Sequence, residues 1–220
     1  MSALNLTSYS GLQATVAAYL NRRDLSDQIP TFIRLAEAKF NRELRVNQMQ
    51  AIREGTSYSN LDEDDEMIPV PDDYLATYSL ELKSPQSGAW SAPLRFMSDE
   101  EARTIRAQTN NAGGPLRGYT IFGQEFHLVP PQTGTITFRL RYYGAIKPLS
   151  DAAPDNWLLW QSPDLYVYSA CLEATPYLKA DERLPVWAAL RTQIIDAMHL
   201  ESERALKPQA ALSSTRRTFG

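Results

Sequence analysis

Thr135-Ile136-Thr137-Phe138-Arg139-Leu140-Arg141-Tyr142-Tyr143 alternates strictly between apolar and polar residues. Ile136, Phe138, Leu140 and Tyr142 fall on one side, and Thr135, Thr137, Arg139 and Arg141 on the other. That is the period of a strand with one buried face. Upstream, Tyr119–Phe122 and Phe126–Val129 read as a hairpin closed by Gly123-Gln124, with glycine supplying the positive φ that a tight turn needs. Farther back, Ala76, Tyr78, Leu80 and Leu82 alternate with Thr77, Ser79, Glu81 and Lys83, which predicts a second half-buried strand. Between these strands, Ser98-Asp99-Glu100-Glu101 has the form of a capping box and opens a short helix to about Ala107. Asn110-Asn111-Ala112-Gly113-Gly114-Pro115 is a loop of consecutive breakers.

On both sides of this β segment the period changes to that of helices. Ser10-Gly11-Leu12-Gln13 is a candidate capping box, followed by Leu12, Val16, Tyr19 and Leu20 at helical spacing. Pro30 suits the first turn of a second helix, whose apolar stripe is Ile33, Ala36, Phe40 and Leu44, widened by Phe32 and Leu35. Glu37, Lys39, Arg42 and Glu43 are left for solvent or a partner. After the β segment, Ser162-Pro163-Asp164 combines an N-cap, proline at the first helical position and an acid in the first turn. A last helix from Glu182 or Pro185 carries Val186, Leu190, Ile194, Ala197 and Met198 to about Leu206. The switch from helix to strand period and back predicts an α+β fold: a helical bundle formed by the N- and C-terminal regions with an inserted antiparallel β module. The expected boundaries are 1–47 and 146–206 for the helical domain, 48–145 for the β-rich module and 207–220 for an extended C-terminal tail.

At 220 residues, with 43% hydrophobic and 22% charged residues, the chain has enough apolar material for a real core. The net charge of -4 and pI of 5.3 argue against a surface devoted to gripping nucleic acid. A single cysteine, Cys171, excludes an internal disulfide framework and any multi-cysteine zinc site, and two histidines leave little for triad chemistry. The first residues lack the basic and apolar regions of a signal peptide, and no run of about 18 apolar residues exists to span a bilayer.

The motifs that resemble chemistry fail on inspection. Asp62-Glu63-Asp64-Asp65-Glu66 begins like a calcium loop, but Met67 stands where glycine is required and no glutamate follows at the twelfth position. Gly113 to Gly118 lacks the Gly-Lys-Ser/Thr ending of a phosphate loop, and Pro115 removes an N–H. His199-Leu200-Glu201 is not a zinc motif, because a helical metal pair needs partners at i and i+4, His127 sits in a strand, and Cys171 lies on an apolar stripe. Arg22, Arg23, Arg42, Arg45, Arg139 and Arg141 are scattered rather than gathered into a nucleic-acid module. No catalytic residue, metal site or cofactor site is assigned, and the chain is not expected to be an enzyme.

Two stretches are more distinctive than their chemistry. One is Ala18-Tyr19-Leu20-Asn21-Arg22-Arg23-Asp24-Leu25, continued by Gln28-Ile29-Pro30-Thr31-Phe32-Ile33-Arg34-Leu35-Ala36-Glu37-Ala38-Lys39. The other is Asn156-Trp157-Leu158-Leu159 with Ser162-Pro163-Asp164-Leu165-Tyr166 and Lys179-Ala180-Asp181-Glu182-Arg183. With Pro69-Val70-Pro71-Asp72-Asp73-Tyr74-Leu75 and Gly114-Pro115-Leu116-Arg117-Gly118-Tyr119 between them, the chain from about Ser8 to Leu206 resembles the head-to-tail adaptor, or head completion, proteins of short-tailed phages.

The resemblance implies a structural virion protein of the head-tail connector, made in the bacterial host cytoplasm. It would bind the phage portal protein as a ring, usually of twelve copies, and provide a docking platform for the tail (nozzle or tail-hub) protein. DNA would pass through the channel without sequence-specific binding, and no membrane would be involved. Within that picture Glu37, Arg42 and Arg45 are candidates for lateral ring contacts. Lys207, Leu212, Arg216, Arg217 and Phe219 in the tail are candidates for portal binding, two apolar anchors beside basic residues. Ring closure needs one patch to meet a different patch on the neighbour, so the free chain is expected to be monomeric or weakly associated until a portal aligns the copies. The rival class is a DNA-handling or genome-packaging factor, which would call for a concentrated basic patch.

Overall fold

A computed structural model describes residues 6–59, 68–108, 115–178 and 182–206. In chain order the elements are α1 (Tyr9–Leu20), α2 (Ile29–Glu43), β1 (Gln50–Ser59), β2 (Ile68–Pro69), β3 (Tyr74–Lys83), β4 (Arg95–Phe96), α3 (Asp99–Gln108), β5 (Gly118–Phe122), β6 (Glu125–Val129), β7 (Gly134–Gly144), α4 (Trp157–Gln161), α5 (Pro163–Glu173) and α6 (Leu184–Leu206). The protein is α+β, with a bundle made by its N- and C-terminal helices and an antiparallel β module inserted between them. Two compact units result: one takes the chain to Gln48 and resumes at Ile146, and the other is Met49–Ala145. The acidic run Asp62–Glu66, the loop Asn110–Gly114 and the tail 207–220 lie outside the described residues.

In the β unit, β7 is the middle strand of a three-stranded sheet of order β1-β7-β3. A second sheet has the order β2-β6-β5-β4, and its β4–β5 pair is parallel over only Arg95↔Gly118 and Phe96↔Tyr119. Ile68, Leu80, Tyr119, Phe126, Leu128, Phe138, Leu140 and Tyr142 form the core of this unit. The β5–β6 hairpin turns on Gly123 with φ of 62°, as its sequence predicts. Ser98 caps α3 through the Glu101 N–H.

Two features of this sheet depart from the alternation. In β1, Ile52 is exposed and Gly55 faces Phe138 across the strand pair. A Cβ on Gly55 would lie 2.9 Å from the Phe138 ring, so glycine leaves room for the aromatic. In β3 the register shifts between Thr77 and Ser79. Past that irregularity Ser79, Leu80 and Glu81 are all buried, while Tyr78, expected inside, is exposed.

The helical unit is organised on α5, against which α1, α2 and α6 all pack. Leu165, Tyr166, Ala170 and Cys171 are fully buried in it, and the Phe40 and Tyr166 rings meet edge to face at 5.1 Å. Such a pair adds about 0.5–1.5 kcal/mol beyond the area it buries. Local signals hold with shifts of a residue or two. Ser8 rather than Ser10 caps α1, and Pro30 sits in the first turn of α2. Ser162 precedes α5, but its hydroxyl makes no cap and instead lies 3.7 Å from the Met198 sulfur. Trp187, not Val186, is the buried anchor of α6. Leu35, assigned to the α2 stripe, points outward.

The largest correction concerns Glu37. It belongs to the buried face of α2, 4% exposed, and not to the solvent face expected of a lateral contact. Its Oε1 accepts the Leu149 N–H at 2.8 Å and the Tyr166 hydroxyl at 3.1 Å. The Tyr166 oxygen in turn accepts from Asn156 Nδ2 at 2.7 Å, and the same amide nitrogen reaches the Lys147 carbonyl at 2.8 Å. Asn156 Oδ1 caps α4 at the Leu159 N–H, 2.8 Å. One turn along α2, Asn41 Oδ1 accepts the Ile146 N–H at 2.8 Å. Burial pushes the Glu37 carboxyl above the usual carboxylate range, against the Leu149 N–H, the Tyr166 hydroxyl and Arg34, which favour the ionised form. Burial first, then the Glu37 charge, pushes the Tyr166 phenol well above its ordinary value.

Glu37→Ala leaves the Leu149 N–H and Tyr166 hydroxyl without their acceptor and is expected to cost about 2–3 kcal/mol in urea denaturation at neutral pH. Glu37→Gln, which keeps an acceptor oxygen, should cost less. Because the folded-state pKa of Glu37 is raised, the folded protein binds the proton that the unfolded chain releases. Stability therefore falls as pH rises from the unfolded to the folded pKa. Wild type should lose stability relative to Glu37→Gln across that window, and a parallel pH profile for the two proteins would contradict the assignment. In the β unit, Gly55→Ala should cost about 1–3 kcal/mol by overpacking against Phe138. Adding Phe138→Leu should recover part of that loss, a non-additivity that a double-mutant cycle reads directly.

Candidate interaction surfaces

The sequence-derived candidates on the rim of α2 are Arg42 and Arg45. Arg42 is exposed, and no hydrogen bond or ion pair engages it among the described residues. Arg45 is half-buried, and its guanidinium donates to the carbonyls of Asn41 at 2.8 Å and Leu44 at 2.5 Å, beyond the last turn of α2. A cation there satisfies carbonyls that the helix end leaves open. Arg45 is thus partly committed within its own chain, while Arg42 is not.

Arg42 stands beside a cleft of about 370 Å³ where α2, α5 and α6 approach one another, lined also by Lys39, Glu43, Leu172, Glu173 and Arg191. Opposite charges close its walls. Lys39 Nζ lies 2.5 Å from Glu173, and Arg191 reaches Glu43 at 2.6 Å and the Ser169 hydroxyl at 3.1 Å. Arg42 alone of these three cations is left without a carboxylate, so the lining keeps one positive charge in excess.

In the β unit the polar side of the three-stranded sheet carries a charge ladder. Glu54, Arg139 and Glu81 are cross-strand neighbours in register. Arg139 Nε donates to Glu54 at 2.6 Å, and Glu81 lies 3.6 Å from both Arg139 and Arg141. The Trp90 ring covers the Arg139 guanidinium at 4.0 Å, a cation–π stack. Glu81, on the polar side of its strand, is nevertheless buried, with both guanidinium groups beside it. The segment carrying Trp90 returns along β3, held by the Ser91 N–H on the Leu82 carbonyl and the Leu94 N–H on the Leu80 carbonyl. Arg139 and Arg141 face outward as the alternation predicts, but they are matched by carboxylates and offer no basic patch to a phosphate backbone.

His127 is half-buried on β6, its Nε2 3.8 Å from Glu125. Burial, then Arg106, holds its pKa below the usual histidine value, with Glu125 only partly opposing. Among the described residues no group of three His, Cys, Asp or Glu side chains is placed to hold a metal ion, and Cys171 is buried as its stripe predicts. The tail candidates Lys207, Leu212, Arg216, Arg217 and Phe219 lie outside the described residues.

Among the described residues the candidates Arg42 and Arg45 lie at and just past the C-terminal end of α2, and the family relationship is informative at this point. A family model described as SU10 adaptor protein matches residues 7–217, nearly the whole chain. The match takes in both compact units and continues past Leu206 through Lys207, Leu212, Arg216 and Arg217. No curated protein matches the chain.

The Trp90–Arg139–Glu81 stack supplies its own test. Arg139→Ala leaves Glu81 buried with one of its two cations gone and is expected to cost about 1–3 kcal/mol in urea denaturation. Arg139→Lys keeps the charge but loses the planar stack and the fork of donors, so it should fall between the two. A neutral Arg139→Ala would mean that the ladder is ornamental.

Proposed function

The chain belongs to the SU10 adaptor protein family, and on that premise we propose that it is the head-to-tail adaptor of a tailed phage, assembling on the portal as a ring. The observation that carries this reading is the extent of the family match, residues 7–217 of 220. It is an adaptor structural protein of a bacteriophage. The finer reading is a twelve-copy ring beneath the portal that presents a platform to the tail protein, with DNA passing through the bore unread. The place of action is then the head-tail connector of the virion, after synthesis in the host cytoplasm. No described helix is long and apolar enough to cross a membrane.

Physical features support this reading. Apart from Arg42, the cations of the α2–α5–α6 cleft, and Arg139 and Arg141 of the β sheet, are paired with carboxylates, so neither place gathers the concentrated basic patch of a DNA-handling factor. Lateral contacts fall to Arg42 and Arg45, because Glu37 is spent inside the fold. Portal attachment is assigned to the tail, where Leu212 and Phe219 are apolar anchors and Lys207, Arg216 and Arg217 bring positive charge. Burying one such side chain contributes about 1.5–3 kcal/mol before the cost of ordering an extended segment is subtracted.

Co-sedimentation of the purified chain with portal tests the reading, alongside a salt titration of DNA binding. Portal association with weak DNA binding is expected. Tight, steeply salt-dependent DNA binding without portal association would favour the packaging-factor class. Deleting 207–220 should leave the melting temperature nearly unchanged and abolish portal attachment. Full decoration of portals by the truncated protein would remove the tail as anchor and shift the contact to the helical unit.

A further inference from the structure

Two helix faces of the helical unit carry apolar side chains into solvent. On α6 the inward side is Trp187, Met198 and Ser202, with Arg191 and Ile194 half-buried among them. A second side follows steps of four and three residues: Val186, Leu190, Gln193, Ala197 and Leu200. This is the spacing of a helix–helix seam. Val186 is 56% exposed and Leu200 48%; Gln193 and Ala197 are exposed and Leu190 is half-buried. On α2 the same steps give Thr31, Leu35, Ala38 and Arg42, all exposed, with Leu35 at 47%. At 1.5 Å per residue the α2 stripe runs about 17 Å and the α6 stripe about 21 Å, so one can lie along the other.

The two faces differ in charge. The α2 stripe ends on Arg42, while Asp196 and Glu201 flank the C-terminal half of the α6 stripe. All three are exposed, and none has a side-chain hydrogen bond or ion pair among the described residues. We propose that these faces are the two halves of one joint between neighbouring copies of this chain. In it, the α2 stripe of one copy packs on the α6 stripe of the next, with Arg42 set against Asp196 and Glu201. The inference rests on the ring reading above. The joined patches are unlike, so the contact is heterologous, the kind that propagates around a ring instead of closing a two-fold dimer. Placing Arg42 at the acidic end runs the two helices in the same direction and sets Leu35 against the turn of Leu190 and Gln193. Two partial helix faces cover less than the roughly 1,200–2,000 Å² of a stable independent interface. A joint of this size forms when a portal already holds the copies side by side.

Disulfide trapping tests the joint. Ala38→Cys and Ala197→Cys are made on separate full-length chains, mixed and mildly oxidised with and without portal. Buried Cys171 does not compete. The mixed dimer should exceed both homodimers, and it should exceed the pair in which Thr192→Cys, on another side of α6, replaces Ala197→Cys. Adding Arg42→Glu to the first chain should lower the mixed yield about fivefold, and adding Glu201→Arg to the second should restore it. A mixed yield no higher than the Thr192 control, on portal and off it, overturns the joint. So does portal shielding both cysteines from a maleimide without any cross-link, which would make the faces a portal contact. Trapping that succeeds while the wild-type chain fails to sediment with portal supports the joint and overturns the adaptor reading alone.

Discussion

The helical unit depends on one buried carboxylate. Its helices come from the two ends of the chain with the whole β module between them, so sequence neighbourhood cannot hold them together. Glu37 does so from α2 by taking the Leu149 backbone N–H and the Tyr166 hydroxyl. Asn41 adds the Ile146 N–H one turn later. The segment 146–149 is where the chain re-enters the helical unit, and it has no helical hydrogen bonds of its own. Without Glu37 and Asn41 two of its backbone donors would be left unmatched, each a cost of about 1–3 kcal/mol if buried. Tyr166 is the hinge of the arrangement: its hydroxyl joins Glu37 to Asn156, and its ring packs on Phe40. An apolar residue at position 37 would fill the space and lose the register between α2 and the returning chain.

That residue also shows how far the sequence can be read. Position 37 falls four residues after Ile33 and three before Phe40, on the apolar stripe by spacing alone. It is assigned outward because burying a lone carboxylate is costly. Spacing was the better guide, and the acceptor role could not be foreseen because its donors lie more than a hundred residues away. Leu35 is the converse case: apolar by type, yet outward by spacing and outward in fact. In the β unit, β7 was legible because its central position makes both neighbours enforce the period. β1 was not, since Ile52 is exposed and Gly55 has given its space to Phe138. In β3 the alternation fails at the register shift beyond Thr77, a local irregularity that hydropathy does not report.

The placement of charge separates what holds the fold from what remains available. Glu81, Arg139 and Arg141 satisfy one another beneath Trp90, and Lys39, Glu173, Glu43 and Arg191 do the same around the α2–α5–α6 cleft. These pairs are internal, and mutual neutralisation makes them poor contacts for any partner. Among the exposed charges without partners, Arg42, Asp196 and Glu201 stand beside stripes that carry Leu35, Val186 and Leu200 into water. Scattered exposed apolar residues are ordinary on any protein surface; residues repeating at seam spacing beside unpaired charges of opposite sign are less so.

This arrangement also limits how tightly copies can hold one another. A face strong enough to join copies in solution would join them before any template was present, and in a heterologous contact it would do so as open chains wherever the closure angle was missed. Stripes broken by Thr31 and Gln193, with a charge at one end only, stay on the weak side of that boundary. Their polar interruptions lower the apolar area per contact without changing its direction. The helical core that presents them needs no such compromise: Phe40, Tyr166 and Leu165 are fully buried, so the faces keep their shape while each contact they offer remains weak. Rigidity in the core and weakness at the rim are therefore compatible demands on the same helices, met by different sides of α2 and α6.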